Sequence, residues 1–209
     1  MKSEKYTRAP LFRVLTALAF LFGAAFCNQG FAQNADAQIA RIRALASDTN
    51  RRIEAGLKDK TSGLHYAAWT IGGERDGQQW AAVGTMKTET EFWFDGEPGF
   101  DAGKAADARR TIRKIVSTYQ NAGKLNSRAE YLFNQTGELV FAYAIEYTGG
   151  EEGTPLETRF YFARGKLIRV ARDAASRDAK FSAADLSQAG DEQRAAKRLQ
   201  NIFAVAFAE

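Results

Sequence analysis

Glu130-Tyr131-Leu132-Phe133-Asn134-Gln135-Thr136-Gly137-Glu138-Leu139 runs from a charge through an aromatic-x-aromatic pair into a short polar stretch closed by glycine. A strand entering a tight turn has this layout, because the turn needs residues that tolerate unusual backbone angles. The unit returns as Glu91-Phe92-Trp93-Phe94-Asp95 with Gly99 beyond it, and as Arg159-Phe160-Tyr161-Phe162-Ala163-Arg164-Gly165-Lys166-Leu167. Side chains alternate across a strand, so Phe92 and Phe94 share a face, as do Tyr131 and Phe133, and Phe160 and Phe162. The copies are too few and too unevenly spaced for a solenoid. They predict an antiparallel sheet.

Outward from these units the strand pattern continues. Leu64 to Ile71 reads as a strand, Gly72 to Gly77 as a turn, and Gln79 to Lys87 as its antiparallel partner, since so short a connection cannot make a parallel crossover. Glu89 to Asp95 continues the alternation, and 100–108 reads as a loop. Residues 109–120 carry both signals: Ala108, Ile112, Ile115 and Tyr119 fall at helical spacing, yet the run is rich in β-branched residues, which favours a strand. Further strands are expected at Lys124 to Asn134, Glu138 to Tyr147, Leu156 to Ala163 and Lys166 to Arg172. Joined this tightly, they form a meander.

Helices bracket the sheet. Ile39, Ile42, Leu45, Ala46, Thr49, Ile53 and Leu57 recur every three or four residues, which predicts an amphipathic helix over Asn34 to Leu57. Near the other end, Ser182 with Asp185 three residues on makes a capped helix start, with Phe181 placed to staple onto Leu186. Gly190-Asp191 is a potential interruption, and Ala195, Leu199, Ile202, Phe203 and Ala206 form the expected packing stripe. The fold class expected is α+β, an antiparallel β-meander of about six to seven strands packed by an N-terminal and a C-terminal helix.

The first residues carry a different message. Lys2, Lys5, Arg8 and Arg13 precede an apolar run from Val14 to Phe26, followed by Gly30-Phe31-Ala32. This is the three-part layout of a secretory signal, and its apolar run is shorter than the ~20 residues a membrane span needs. Residues 1–32 are therefore expected to be a signal peptide and 33–209 a single exported α+β domain, periplasmic or secreted, with no membrane span in the mature chain. An alternative is lipidation at Cys27, but the residue before it, Phe26, is large where such a signal wants a small one.

Charge and composition then exclude several function classes. Residues 1–32 hold four basic residues and one acidic, so 25 basic residues face 24 acidic ones in the remainder. The basic pI belongs mainly to the leader, which removes the argument for nucleic acid. With Cys27 in the leader, the mature chain has no cysteine, and His65 is the one histidine. Disulfides, a cysteine nucleophile and a zinc centre lack their residues, and no serine lies in a nucleophile motif. No cofactor or metal is expected and no catalytic residue is assigned.

Tyr131 to Phe141 and Phe160 to Arg169, with Phe92 to Asp95 as a weaker copy, resemble the Tyr-x-Phe, Asp or Asn, Gly-x-Leu hairpin units of a loose group of uncharacterised bacterial exported proteins. The resemblance covers about half of the chain after residue 32 and brings no established activity with it.

Two groups remain as candidate sites. Phe92, Phe94, Tyr131, Phe133, Phe160 and Phe162 form an aromatic strip that either fills the core beneath the helices or, where uncovered, binds a ligand. Arg109, Arg110, Arg113 and Lys114 form the densest basic run and offer guanidinium groups to an anion. The preferred reading is a non-catalytic envelope protein binding a protein, peptide or apolar ligand on its sheet. The rivals are a carboxylate-dependent hydrolase acting on envelope polymers, which would depend on Glu91 or Asp95, and an envelope assembly factor.

Overall fold

The computed structural model describes residues 11–59, 63–72, 86–96, 105–121, 124–147, 155–172, 175–178 and 180–206, with side chains from residue 34 onward, those of 105–107 excepted. Helix α1 spans Leu11–Asp59, strand β1 His65–Gly72, β2 Met86–Phe94, helix α2 Ala105–Thr111, and β3 Ile112–Asn121. Then come β4 Lys124–Phe133, β5 Leu139–Tyr147, β6 Pro155–Ala163, β7 Lys166–Arg172, β8 Ala175–Arg177 and helix α3 Ala183–Ala206. The chain divides into two compact units, residues 1–38 and residues 39–209; all that follows concerns the second. Among the described residues no helix is long and apolar enough to cross a membrane.

The strands form one sheet in the order β1 to β8, each antiparallel to the strand before it. Among the described residues the meander thus has eight strands rather than six or seven, the addition being the three-residue β8. Two further expectations are corrected. β1 pairs with Lys87 to Phe94, not with Gln79 to Lys87, of which residues 79–85 lie outside the described residues. This register sets Ala67 opposite Phe92 and His65 opposite Phe94, so the large apolar residues of β2 face the core. The expected loop at 100–108 and strand at 109–120 give way to α2 followed by β3. Ala105 to Arg110 are mostly strong helix formers, and the β-branched run takes over at Ile112.

The threefold sequence repeat has a threefold structural counterpart. The pairing slips by one residue at Trp93/Phe94, at Leu132/Phe133 and at Tyr161/Phe162, within each aromatic triple. Each bulge leaves one extra residue on the neighbouring strand, namely Arg113, Val140 and Ile168. Val140 and Phe141, consecutive in sequence, consequently pack on the same side of the sheet. Bulges of this kind bend a strand and increase its twist.

Each face of the sheet carries a helix over part of its area. On one side Ile39, Ile42, Leu45 and Ala46 of α1 pack with Val140, Phe141, Leu132, Tyr161 and Ile168. Leu57, the last residue of the predicted stripe, is exposed. On the other side Ala189, Ala196, Phe203 and Ala204 of α3 meet Phe92, Phe94, Ile115, Tyr131, Phe133, Phe160, Phe162 and Val170. Of the expected stripe Ala195, Leu199 and Phe203 pack on this core, Ile202 is half-buried and Ala206 is exposed; the buried face also takes in Ala196, Ala204 and Gln200, whose amide donates to the Gly137 carbonyl at 3.0 Å.

The start of α3 follows its sequence. The Ser182 hydroxyl accepts from the Asp185 amide at 3.1 Å, and Asp185 accepts in return from the Ser182 amide at 2.9 Å and hydroxyl at 2.7 Å. Phe181 packs on the core, but Leu186 is exposed, so the expected staple is not made. The helix continues through Gly190-Asp191 without a break.

Candidate functional site

The six aromatic residues singled out from the sequence are 0 to 8% exposed, all beneath α3. Phe203 of α3 contacts both Phe92 and Phe94, with ring centroids 5.3 and 5.0 Å apart. These residues fill the core.

The four basic residues of the 109–114 run go to four different places. Arg113 is the extra residue of the first bulge, and its Nε reaches Asp95 Oδ2 at 2.6 Å. Its terminal nitrogen donates to the carbonyls of Arg110 (2.7 Å), Ile112 (3.0 Å) and Asn134 (3.2 Å). Lys114 pairs with Glu130 at 2.7 Å and donates to Asn50 of α1. Arg110 is exposed, and Arg109 lines a groove between α3 and the β6–β7 turn. Strand alternation, the bulge and the helix-to-strand change at Thr111 together disperse what the sequence held adjacent.

The carboxylates are similarly committed. Asp95 is clamped between Arg113 and Arg52 of α1 and donates its own amide to the Thr111 carbonyl at 2.9 Å. Glu89 pairs with Lys87, and Glu130 with Lys114 and Arg128. Burial raises the Glu130 pKa, but the hydrogen bonds and charges of Lys114 and Arg128 outweigh it and hold the carboxyl below its usual range. Glu91 lines a small hollow with Asn50, Trp93 and Lys114. His65 is half-buried with its ring 5.7 Å from that of Phe94. Among the described residues no group of three histidine, cysteine or acidic side chains is placed to hold a metal ion.

An apolar hollow lies elsewhere, at the β1 edge. A groove of about 640 Å³ runs between β1 and the last turns of α3, lined by Ala67, Trp69, Phe92, Ile202, Phe203 and Val205. This falls within the ~300–1,000 Å³ typical of ligand sites. Trp69, Ile71 and Val205 are 40, 50 and 71% exposed, a high fraction for large apolar side chains. β1 is the terminal strand of the sheet, so the backbone groups along its outer side have no strand partner among the described residues. The sequence placed Trp69 and Ile71 in a strand but carried no signal that this strand is an edge; that depends on the order of the whole sheet.

No known protein family, curated protein or solved structure matches the chain.

Proposed function

We propose that this chain is an exported, non-catalytic module of the cell envelope that binds an extended apolar segment of a partner protein along β1. The observation that supports the reading is the coincidence of two features: an outer strand edge eight residues long and an apolar groove beside it. A segment added as a ninth strand pairs its backbone with β1 and sends alternate side chains into the groove, where Trp69 and Val205 cover them. The leader-like pattern of residues 1–32 supports the export part of the reading.

The test uses peptides selected by display against the purified protein. Selected sequences are expected to alternate apolar and polar residues, to slow amide exchange along His65 to Gly72, and to lose affinity with W69A or V205D. Peptides that bind without protecting β1, or equally well to both variants, refute the proposal. Secretion of a reporter fused behind residues 1–32 tests the export part separately.

A further inference from the structure

A second groove, on the α3 side near the β6–β7 turn and separate from the one at β1, carries chemistry of another kind. It encloses about 450 Å³ and is lined by three cations, Arg109, Arg164 and Lys197, against one carboxylate, Glu138. Glu138 is occupied by the Asn134 amide at 2.8 Å. Among the described residues none of the three cations has an ion-pair partner, and Arg109 Nε, shielded from solvent, has no acceptor. A guanidinium nitrogen without an acceptor is costly, and three cations against one carboxylate leave the groove with an excess of positive charge.

The walls of this groove are fixed. Gln193 donates to the Gly165 carbonyl at 2.9 Å and Gln200 to the Gly137 carbonyl at 3.0 Å, which ties α3 to both turns. Arg164 occupies a left-handed backbone position, φ 51°, in the two-residue turn with Gly165 at φ 72°. That conformation presents its side chain from the turn rather than from the sheet.

We infer that this groove is a binding site for a phosphate-bearing ligand, held by Arg109, Arg164 and Lys197. Three positive groups converging from a helix, a turn and a second helix suit an anion with several oxygens and more than one negative charge. The groove has room for more than the anion, so the phosphate is expected to be part of a larger molecule, either soluble or a lipid headgroup.

The experiment is calorimetric titration of the purified protein with pyrophosphate and with glycerol 3-phosphate. In parallel, sedimentation is measured with phosphatidylcholine vesicles, with and without phosphatidylglycerol. The double variant R164N/K197Q changes two exposed residues, and asparagine tolerates the left-handed position, so folding is expected to be retained and is checked by circular dichroism. R43Q/K58Q, which alters two exposed cations of α1 away from the groove, serves as a control of equal net charge. Binding in either arm that weakens by at least about tenfold in R164N/K197Q, but not in R43Q/K58Q, supports the site, because hydrogen bonds to charged groups carry that much. The arm that responds identifies the source, free phosphate or headgroup. Binding no tighter than that of chloride in both arms, binding undiminished in R164N/K197Q, or an equal loss in R43Q/K58Q, overturns it.

Discussion

At the level of single residues, the most informative contact is that between Tyr131 and Glu192. The tyrosine hydroxyl donates to Glu192 Oε2 at 2.8 Å, and no cation joins them in an ion pair among the described residues. Burial, opposed by this hydrogen bond and reinforced by Glu146 and Asp191, raises the Glu192 pKa; burial and the Glu192 charge push the Tyr131 hydroxyl far above its usual value. A carboxyl whose pKa is higher when folded favours the native state while protonated. Its contribution is complete below the unfolded value, about 4.3, and is lost as pH rises through the folded one. E192Q keeps the acceptor for Tyr131 without the charge. It is expected to melt above the parent at pH 7 and level with it near pH 4, as measured by differential scanning calorimetry.

The same scale shows where sequence reading stops. Phe92, Tyr131 and Phe160 were recognisable as members of paired sets because alternation is a local property. The partner of Tyr131 lies 61 positions away. Arg109, Arg164 and Lys197 are likewise distant in sequence, and only the packing of α3 against two turns brings them to one groove.

Among the elements, the end of α1 shows how a helix is tied to a sheet. Gly63 adopts φ +94°, and the Leu64 amide donates to the Arg52 carbonyl at 3.2 Å. A Cβ on Gly63 would sit 2.1 Å from that carbonyl oxygen and 2.5 Å from the Gly56 nitrogen, both rigid backbone atoms. G63A is therefore expected to destabilise the protein by more than ~1 kcal/mol, since the strained angle and the clash act together. Urea denaturation followed by circular dichroism measures it.

Gly190 gives the opposite expectation. It lies inside α3, and its added Cβ meets only the flexible end of Arg194, at 3.3 Å. Alanine there is expected to stabilise by about 0.5–1 kcal/mol in the same denaturation assay, through the lower backbone entropy cost. The sequence read this glycine as a potential break. Helix formers on both sides and the core contacts of Ala189 and Ala196 carry the helix through it.

For the whole molecule, the sheet was legible and its limits were not. Aromatic triples and turn residues fixed most strands from Lys124 to Arg172, because each strand and turn is written in a few consecutive residues. The pairing of β1 and the change from α2 to β3 depend on which residues fill the core, a matter of the assembled fold. Acid sensitivity also belongs to this scale. Asp185 is 1% exposed and its pKa is lowered, first by the hydroxyl and amide of Ser182 and, against the opposing effect of burial, by Arg172 and Arg177. Glu130 is lowered as well. Carboxyls depressed in the native state contribute above their unfolded pKa values, about 3.9 and 4.3, and the contribution is lost as pH falls further. Urea midpoints are expected to drop below pH 4, with a shallower decline in D185N from a lower starting midpoint.

The strand order β1 to β8 also bears on how the chain acquires its shape. Since each strand finds its mate in the preceding one, with no crossover, most pairing entropy is lost in small local steps. Nucleation can begin in any central hairpin and spread in both directions like a closing zip. Refolding is accordingly expected at the fast end of the range for proteins this rich in sheet.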